Sequence, residues 1–141
     1  MYKERKNQQD ELILMTMEQM VPEDHLLRKI EASVDLSFIN EKTRLLYSQD
    51  KGRNCIEPVV LFKIVMLQYL YGIKSMRATI KQCETDASFR WYLGIPFGQS
   101  VPHYSTFSQN YLRRYANSPI FEEIFEAILM LALKKKTGIG T

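Results

Sequence analysis

Apolar residues recur along this chain at spacings of three and four, the period of a helix with one buried face, and almost nowhere at the alternation of two that a half-buried strand requires. The reading is a string of helices. Leu12 to Met17 stands apart as a short extended arm. Pro22 then opens a helix with Leu26, Leu27, Ile30 and Val34 on one face and Glu23 and Asp24 in its first turn, where the helix dipole favours acids. Ser37 is placed to cap a second helix carrying Phe38, Ile39, Leu45 and Leu46, and Ser48 to Asn54 reads as a polar loop.

Glu57-Pro58 begins a third helix in the manner of proline at the first helical position, and Gly72 ends it as a left-handed cap. Between them only Lys63 and Gln68 are strongly polar, so this helix is apolar nearly all round and reads as the buried centre. Ser75 caps a fourth helix, Met76 to about Glu84, and Asp86 caps a fifth, Ala87 to Leu93, which Gly94 stops; a turn of about three residues separates the two. After the loop Ile95 to Tyr104, with Pro96, Gly98 and Pro102, Ser105 caps a sixth helix to about Tyr115. Asn117-Ser118-Pro119 begins the last. It carries Glu122, Glu123 and Glu126 early and Lys134, Lys135 and Lys136 late, the order its dipole prefers. The fold class is therefore all-α, a compact bundle of about seven helices behind a short arm.

Composition narrows the chemistry. The chain has 141 residues, 45% hydrophobic and 25% charged, enough for one domain with its own core. Its net charge of +3 lies wholly in the second half, because residues 1–74 carry eleven basic and eleven acidic groups and residues 75–141 carry eight and five. Cys55 and Cys83 form no CxxC pair, and His25 and His103 lie far apart, which leaves no local zinc spacing and no disulfide framework. Both cysteines read as small packing residues. The longest apolar stretches are too short or too interrupted to span a membrane, and the polar N-terminus has no signal core, so a cytoplasmic protein is expected. A glycine-rich phosphate loop, a GxSxG elbow and an HExxH motif are all missing, which removes the usual signatures of most catalytic classes.

The sixth helix is the most informative segment. Phe107, Tyr111 and Tyr115 form one face, while Thr106, Gln109, Asn110, Arg113 and Arg114 occupy the other. Gln and Asn read adenine edges, Arg reads guanine or grips phosphate, and a helix N-terminus offers free amides to a phosphate. That is the chemistry of a recognition helix, set against the plainer reading of a polar surface helix. The helix pair Ser75 to Leu93 carries Lys74, Arg77, Lys81 and Arg90 and has the order of a helix-turn-helix, although its second helix is short. We favour a helix-turn-helix-like arrangement with an extended turn, in which the sixth helix enters the groove and the fourth and fifth support it.

Half of the aromatic residues fall between Phe89 and Tyr115. They read more readily as a small core clamping the fifth and sixth helices than as base-stacking rings. His103, just before the capped helix, is positioned either to touch a phosphate or to serve as an ordinary loop residue. Lys134 to Lys136 fits a solvated helix end better than a nucleic-acid grip. The apolar run Ile128 to Leu133 is wider than one buried stripe needs, which points to a homodimer or a docked domain on Ile128, Leu129, Leu131 and Leu133.

Several segments, taken in order, resemble the N-terminal domain of InsH-type insertion-sequence transposases. They are Val21-Pro22-Glu23-Asp24-His25 with Leu26-Leu27-Arg28-Lys29-Ile30, then Pro58-Val59-Val60-Leu61-Phe62-Lys63, then Gln68 through Arg77. Phe89-Arg90-Trp91-Tyr92-Leu93-Gly94 and Val101 through Ser108 follow, so the resemblance covers about Val21 to Lys136. It implies binding of double-stranded DNA at the element's terminal inverted repeats, with the Ser105-Thr106 helix start as the matching contact position. It also implies a partner catalytic domain, RNase H-like, with an Asp-Asp-Glu triad and divalent metal. On that reading residues 1–20 are an arm, 21–136 the helical domain and 137–141 a tail, the catalytic domain and its metal lie outside this chain, no cofactor belongs to it, and the protein works at the nucleoid.

Overall fold

The computed structural model describes residues 2–47, 56–116 and 118–137, and among these every regular element is a helix. In chain order they are α1 (Met17–Met20), α2 (Leu26–Ser33), α3 (Phe38–Tyr47), α4 (Pro58–Leu70), α5 (Met76–Thr85), α6 (Ala87–Leu93), α7 (Tyr104–Arg114) and α8 (Ile120–Thr137). The all-α class follows from the period of the apolar pattern. Ser48 to Asn54 and Cys55 lie outside the described residues.

Helix α4 is the axis, with α3, α5, α6 and α8 packed around it and α2 resting on α6 and α8. Its sequence explains the position: Leu61, Phe62, Ile64, Met66 and Leu67 are all buried, so no face is left for solvent along the middle of the helix. Pro58 sits in the first turn, where its missing N–H costs nothing, and Gly72 closes the other end at φ +61°. There the Ile73 N–H reaches back to the Gln68 carbonyl at 3.0 Å and the Gly72 N–H to Tyr69 at 3.3 Å, a Schellman arrangement that occupies the last free carbonyls.

The polar exception on α4 is Lys63, which is buried. Its Nζ donates to Glu31 Oε2 of α2 at 2.7 Å and to the Tyr92 carbonyl of α6 at 2.9 Å, and lies 4.5 Å from the centre of the Tyr92 ring. One ammonium thus ties three helices together. Lys63→Met should cost about 1–3 kcal/mol, because it leaves the Tyr92 carbonyl unpaired in the interior. Glu31 is half-exposed, and Glu31→Gln should cost under about 1 kcal/mol. Urea denaturation of the two variants checks the order.

Two helix starts differ from the sequence expectation. Pro22 to Asp24 forms a turn rather than the first turn of a helix, and α2 begins only at Leu26, with His25 Nδ1 accepting the Leu27 N–H at 3.0 Å. The extended arm expected through Met17 stops short as well. Thr16 and Gln19 form a reciprocal capping box, Oγ1 taking the Gln19 N–H at 3.2 Å and Gln19 Oε1 the Thr16 N–H at 2.9 Å, which starts α1 at Met17.

Helix α1 is held on α6 by one cluster. Glu18 accepts the Trp91 indole N–H at 2.7 Å through Oε1 and Arg28 Nη1 at 2.5 Å through Oε2, while the Arg28 guanidinium also holds the Val21 carbonyl and stands 4.6 Å from the centre of the Trp91 ring. The Trp91 N–H and then Arg28 hold the Glu18 carboxyl below its usual range. A depressed folded-state pKa adds stability that is complete above the unfolded value and is lost as pH falls through the folded one. Since Trp91 is the single tryptophan of the chain, its emission should change on acidification below about pH 4. The transition should vanish in Glu18→Gln, and its persistence there would exclude this carboxyl as the cause.

Asp86 alone separates α5 from α6, where a turn of three residues is expected from the sequence. Its N–H closes α5 on Gln82, and its Oδ1 takes the N–H groups of Ser88 and Phe89 at 2.9 and 3.1 Å and the Ser88 hydroxyl at 2.6 Å. Partial burial pushes the Asp86 carboxyl up, but donors from Ser88, Gln82 and Phe89 outweigh it and the net shift is downward. Asp86→Ala should cost about 1 kcal/mol in urea denaturation at neutral pH, with most of the loss spared in Asp86→Asn.

Candidate nucleic-acid interface

Helix α7 starts two residues earlier than the sequence reading places it, and His103 rather than Ser105 is its cap. The imidazole Nδ1 accepts the Ser105 N–H at 3.1 Å and lies 2.9 Å from Ser105 Oγ. With Nδ1 accepting, the neutral ring carries its proton on Nε2. His103 and Ser105 are both exposed at this helix end.

One side of α7 is fixed by aromatic packing. Phe107 and Tyr115 are buried, and Tyr115 meets the α4 ring Phe62 edge-on at 5.7 Å and Phe121 of α8 at 5.4 Å. Tyr111 meets Phe121 edge-on at 5.0 Å. These rings thus join α7 to α4 and α8, whereas Phe89 and Tyr92 belong to the core around α6 and Phe97 is exposed. The expected small clamp between the fifth and sixth helices is instead part of one continuous core, in which the α6 rings and the α7 rings meet different neighbours. Sequence proximity grouped rings that the fold sends to different neighbours.

The opposite side is narrower than its composition implies. Asn110 is buried: its Oδ1 accepts the Ile56 N–H at 3.0 Å and Arg114 Nη1 at 2.7 Å, and its Nδ2 donates to the Thr106 carbonyl at 2.8 Å. Arg114 is buried beside it. Both were expected on the open polar face, but the chain entering α4 at Ile56 passes over that part of α7 and takes the Asn110 amide as its partner. What stays exposed is a strip of Ser105, Gln109, Leu112 and Arg113, with Thr106 half-buried at its edge.

Helix α5 packs on α7 and brings cations to it. The Arg77 guanidinium lies 4.4 Å from the centre of the Tyr104 ring, at the start of α7. Lys81 follows one turn along α5, and Lys74 just precedes its Ser75 cap; all three cations are exposed. Stacking on Tyr104 removes much of the rotamer freedom that an arginine otherwise loses on binding.

Arg90, the fourth cation expected on this surface, is interior. Its Nε donates to the Cys83 carbonyl at 2.9 Å, Nη2 to Glu84 at 3.2 Å, and Nη1 to Pro96 at 2.8 Å and Gln99 at 2.5 Å. Cys83 and Glu84 lie in the last turn of α5, where carbonyls have no helical partner, and Pro96 and Gln99 lie in the 94–103 connection. One side chain thereby fixes the long loop that delivers α7. Beside it the Cys83 thiol is buried and pushed up to about 12, so it stays protonated and unreactive at neutral pH.

On α8, Ile128 and Ala132 are fully buried, which moves Ile128 out of the expected dimer surface and into the core. Leu129 is half-buried, and Met130, Leu131 and Leu133 are exposed. Lys134 is exposed, while the side chains of Lys135 and Lys136 lie outside the described residues. No helix among the described residues is long and apolar enough to cross a membrane. Glu122, Glu123 and Glu126 are exposed along α8, and among the described residues no three His, Cys, Asp or Glu side chains converge as metal ligands.

These features define an all-helical domain that presents one exposed strip of a helix beside three exposed cations, of which Arg77 is held by a ring. Its family is established by the match of residues 15–113 to the model described as Transposase domain (DUF772), so the chain belongs to that transposase-domain family. No curated protein and no solved structure matches the chain significantly. The matched region takes in the Arg90 staple and most of α7. The sequence reading names Arg90 and His103 for surface roles; the staple made by Arg90, the Arg28 cluster and the two histidine caps emerge only in the structure.

Proposed function

We propose that this chain is the DNA-binding module of an InsH-type insertion-sequence transposase and that it recognises the terminal inverted repeats of its element. The observation that carries the reading is the exposed Gln109–Arg113 pair, one turn apart on a helix whose start lies beside the Tyr104-stacked Arg77. Gln109 and Arg113 face base edges in the major groove, Leu112 meets a thymine methyl group, and Lys74, Arg77, Lys81 and His103 hold the phosphates on either side. Helices α5, α6 and α7 act as a helix-turn-helix whose turn is the 94–103 loop. Arg90, Asn110 and Arg114 support this surface from inside, with Ser105 and Thr106 at its edge.

Strand cutting and joining then belong to a catalytic domain with which the module works. The exposed glutamates of α8 do not fit a two-metal site, since they line one helix and among the described residues do not converge with further carboxylates. Purified chain should therefore show no magnesium-dependent nicking. Binding is tested with labelled duplexes of the terminal inverted repeat and of a scrambled sequence across a salt series. Tight, selective binding with a steep salt slope is expected; equal weak binding to both duplexes would remove the recognition role.

A second reading rests on Met130, Leu131 and Leu133, which stay exposed on α8 although its other face is in the core. In that reading the module pairs with a second copy or docks on the catalytic domain, with Leu129 at the edge of the contact. Light scattering of the wild-type chain and a Met130→Asp variant separates the cases, since a dimer held by this face dissociates in the variant.

A further inference from the structure

We infer that residues 3–9 of the N-terminal arm form a second DNA contact, one that lies in the minor groove of an A·T-rich tract next to the site read by α7; the inference rests on the DNA-binding reading above. Lys3, Arg5 and Lys6 are exposed and form no ion pair among the described residues, and Asn7, Gln8 and Gln9 follow them as three consecutive exposed amides. Against these cations stands Glu4, and the next acids, Asp10 and Glu11, come after the amides. Arg5 through Gln9 line a concavity of about 390 Å³ with no other wall. Every side chain of this strip ends in a guanidinium, ammonium or carboxamide group, and none is an apolar residue that would anchor it in a protein interface. It has the donors and acceptors that minor-groove arms use.

The groove follows from shape. Residues 2–7 belong to no helix, strand or turn, and a single irregular chain fits the minor groove, about 6 Å wide, where a helix does not. A·T tracts narrow that groove further and deepen its negative potential, which favours inserted arginine and lysine.

The arm is also rooted. The Thr16–Gln19 capping box and the Glu18 contacts to Arg28 and Trp91 fix its exit on α6, whose Arg90 in turn holds the loop into α7. From Thr16 to Arg5 the chain spans at most about 36 Å. That upper limit, shortened by the turn at Gln9–Asp10, is comparable with one turn of duplex, the span that the proposed flanking contact requires. A frayed terminus would have reach without a fixed origin. This segment has both.

The test starts from a pool of random duplexes about three helical turns long, selected for binding by the wild-type chain. The flank of the selected site is then rebuilt with A·T, I·C or G·C pairs. I·C keeps the minor-groove pattern of A·T and the major-groove pattern of G·C. Wild-type protein should bind the A·T and I·C flanks alike and the G·C flank about tenfold more weakly. The triple variant Lys3→Ala, Arg5→Ala, Lys6→Ala should lose that difference and lower the salt slope by about 2–3, with thermal stability unchanged because these side chains are exposed and form no ion pair among the described residues. Equal wild-type binding to all three flanks, or a triple variant that keeps the difference, overturns the minor-groove arm. If Gln109→Ala and Arg113→Ala abolish selection while the triple variant binds as wild type, the arm alone fails. If the wild-type chain selects no sequence, the DNA-recognition reading fails with it.

Discussion

Arg90→Ala should lower the stability of this domain by about 3–5 kcal/mol, a large share of the 5–15 kcal/mol that holds an ordinary domain together. The guanidinium is buried and donates to carbonyls of Cys83, Glu84, Pro96 and Gln99. Among the described residues no carboxylate pairs with it. Its charge is offset by the negative end of α5 and by aligned carbonyl dipoles, so its removal leaves several acceptors unpaired at once. Arg90→Lys should recover less than half of the loss, because one ammonium cannot span carbonyls that lie on two sides of the planar fork. Urea denaturation followed by circular dichroism measures both. A loss under about 1 kcal/mol for the alanine variant would show that the 94–103 loop holds its place without the staple. DNA affinity of the folded Arg90→Ala protein should also fall, since that loop sets where α7 begins.

The second large effect is on binding. Arg113→Ala should weaken binding to a selected duplex by about 1–3 kcal/mol, roughly tenfold to a hundredfold, and relax the preference for one base. Its stability should stay within about 0.5 kcal/mol of wild type, because the side chain is exposed. Arg114→Ala should do the reverse. Arg114 is buried and donates to Asn110 at 2.7 Å, the same amide oxygen that receives the Ile56 N–H. Its loss loosens the join between α7 and the start of α4, and urea denaturation should report the change before a binding assay does. Equal losses of affinity and stability in the two variants would contradict the division of α7 into an exposed strip and a buried edge.

These adjacent arginines show where sequence reasoning stops. Helical periodicity places Arg113 and Arg114 on the polar side of one helix together with Gln109 and Asn110. It carries no information about which part of that side another segment covers. Ile56 lies 54 residues before Asn110, and nothing local to α7 announces its approach. The same reasoning gives Arg90 to the surface, since arginine is rarely buried. Its burial follows from a loop that returns across the end of α5, and four carbonyls collected from two segments can be counted only once both are in place. The histidine caps were missed for a different reason. Histidine is outside the usual set of capping residues, so Ser105 and the acids after Pro22 drew the helix starts instead.

The all-helical class, the central place of the apolar helix Pro58–Leu70, the glycine and proline that end and begin it, and the Ser75 and Asp86 caps are legible in the order of residues alone. Each depends on a few neighbouring residues and on the period of burial, and such short-range terms are written in the order of the chain. Long-range packing sets which cations face solvent, which neighbours each aromatic ring meets, that Ile128 is core, and that Arg90 holds the loop before α7. A buried charge is stable only when distant segments supply its hydrogen-bond partners, and their meeting is a property of the packed whole.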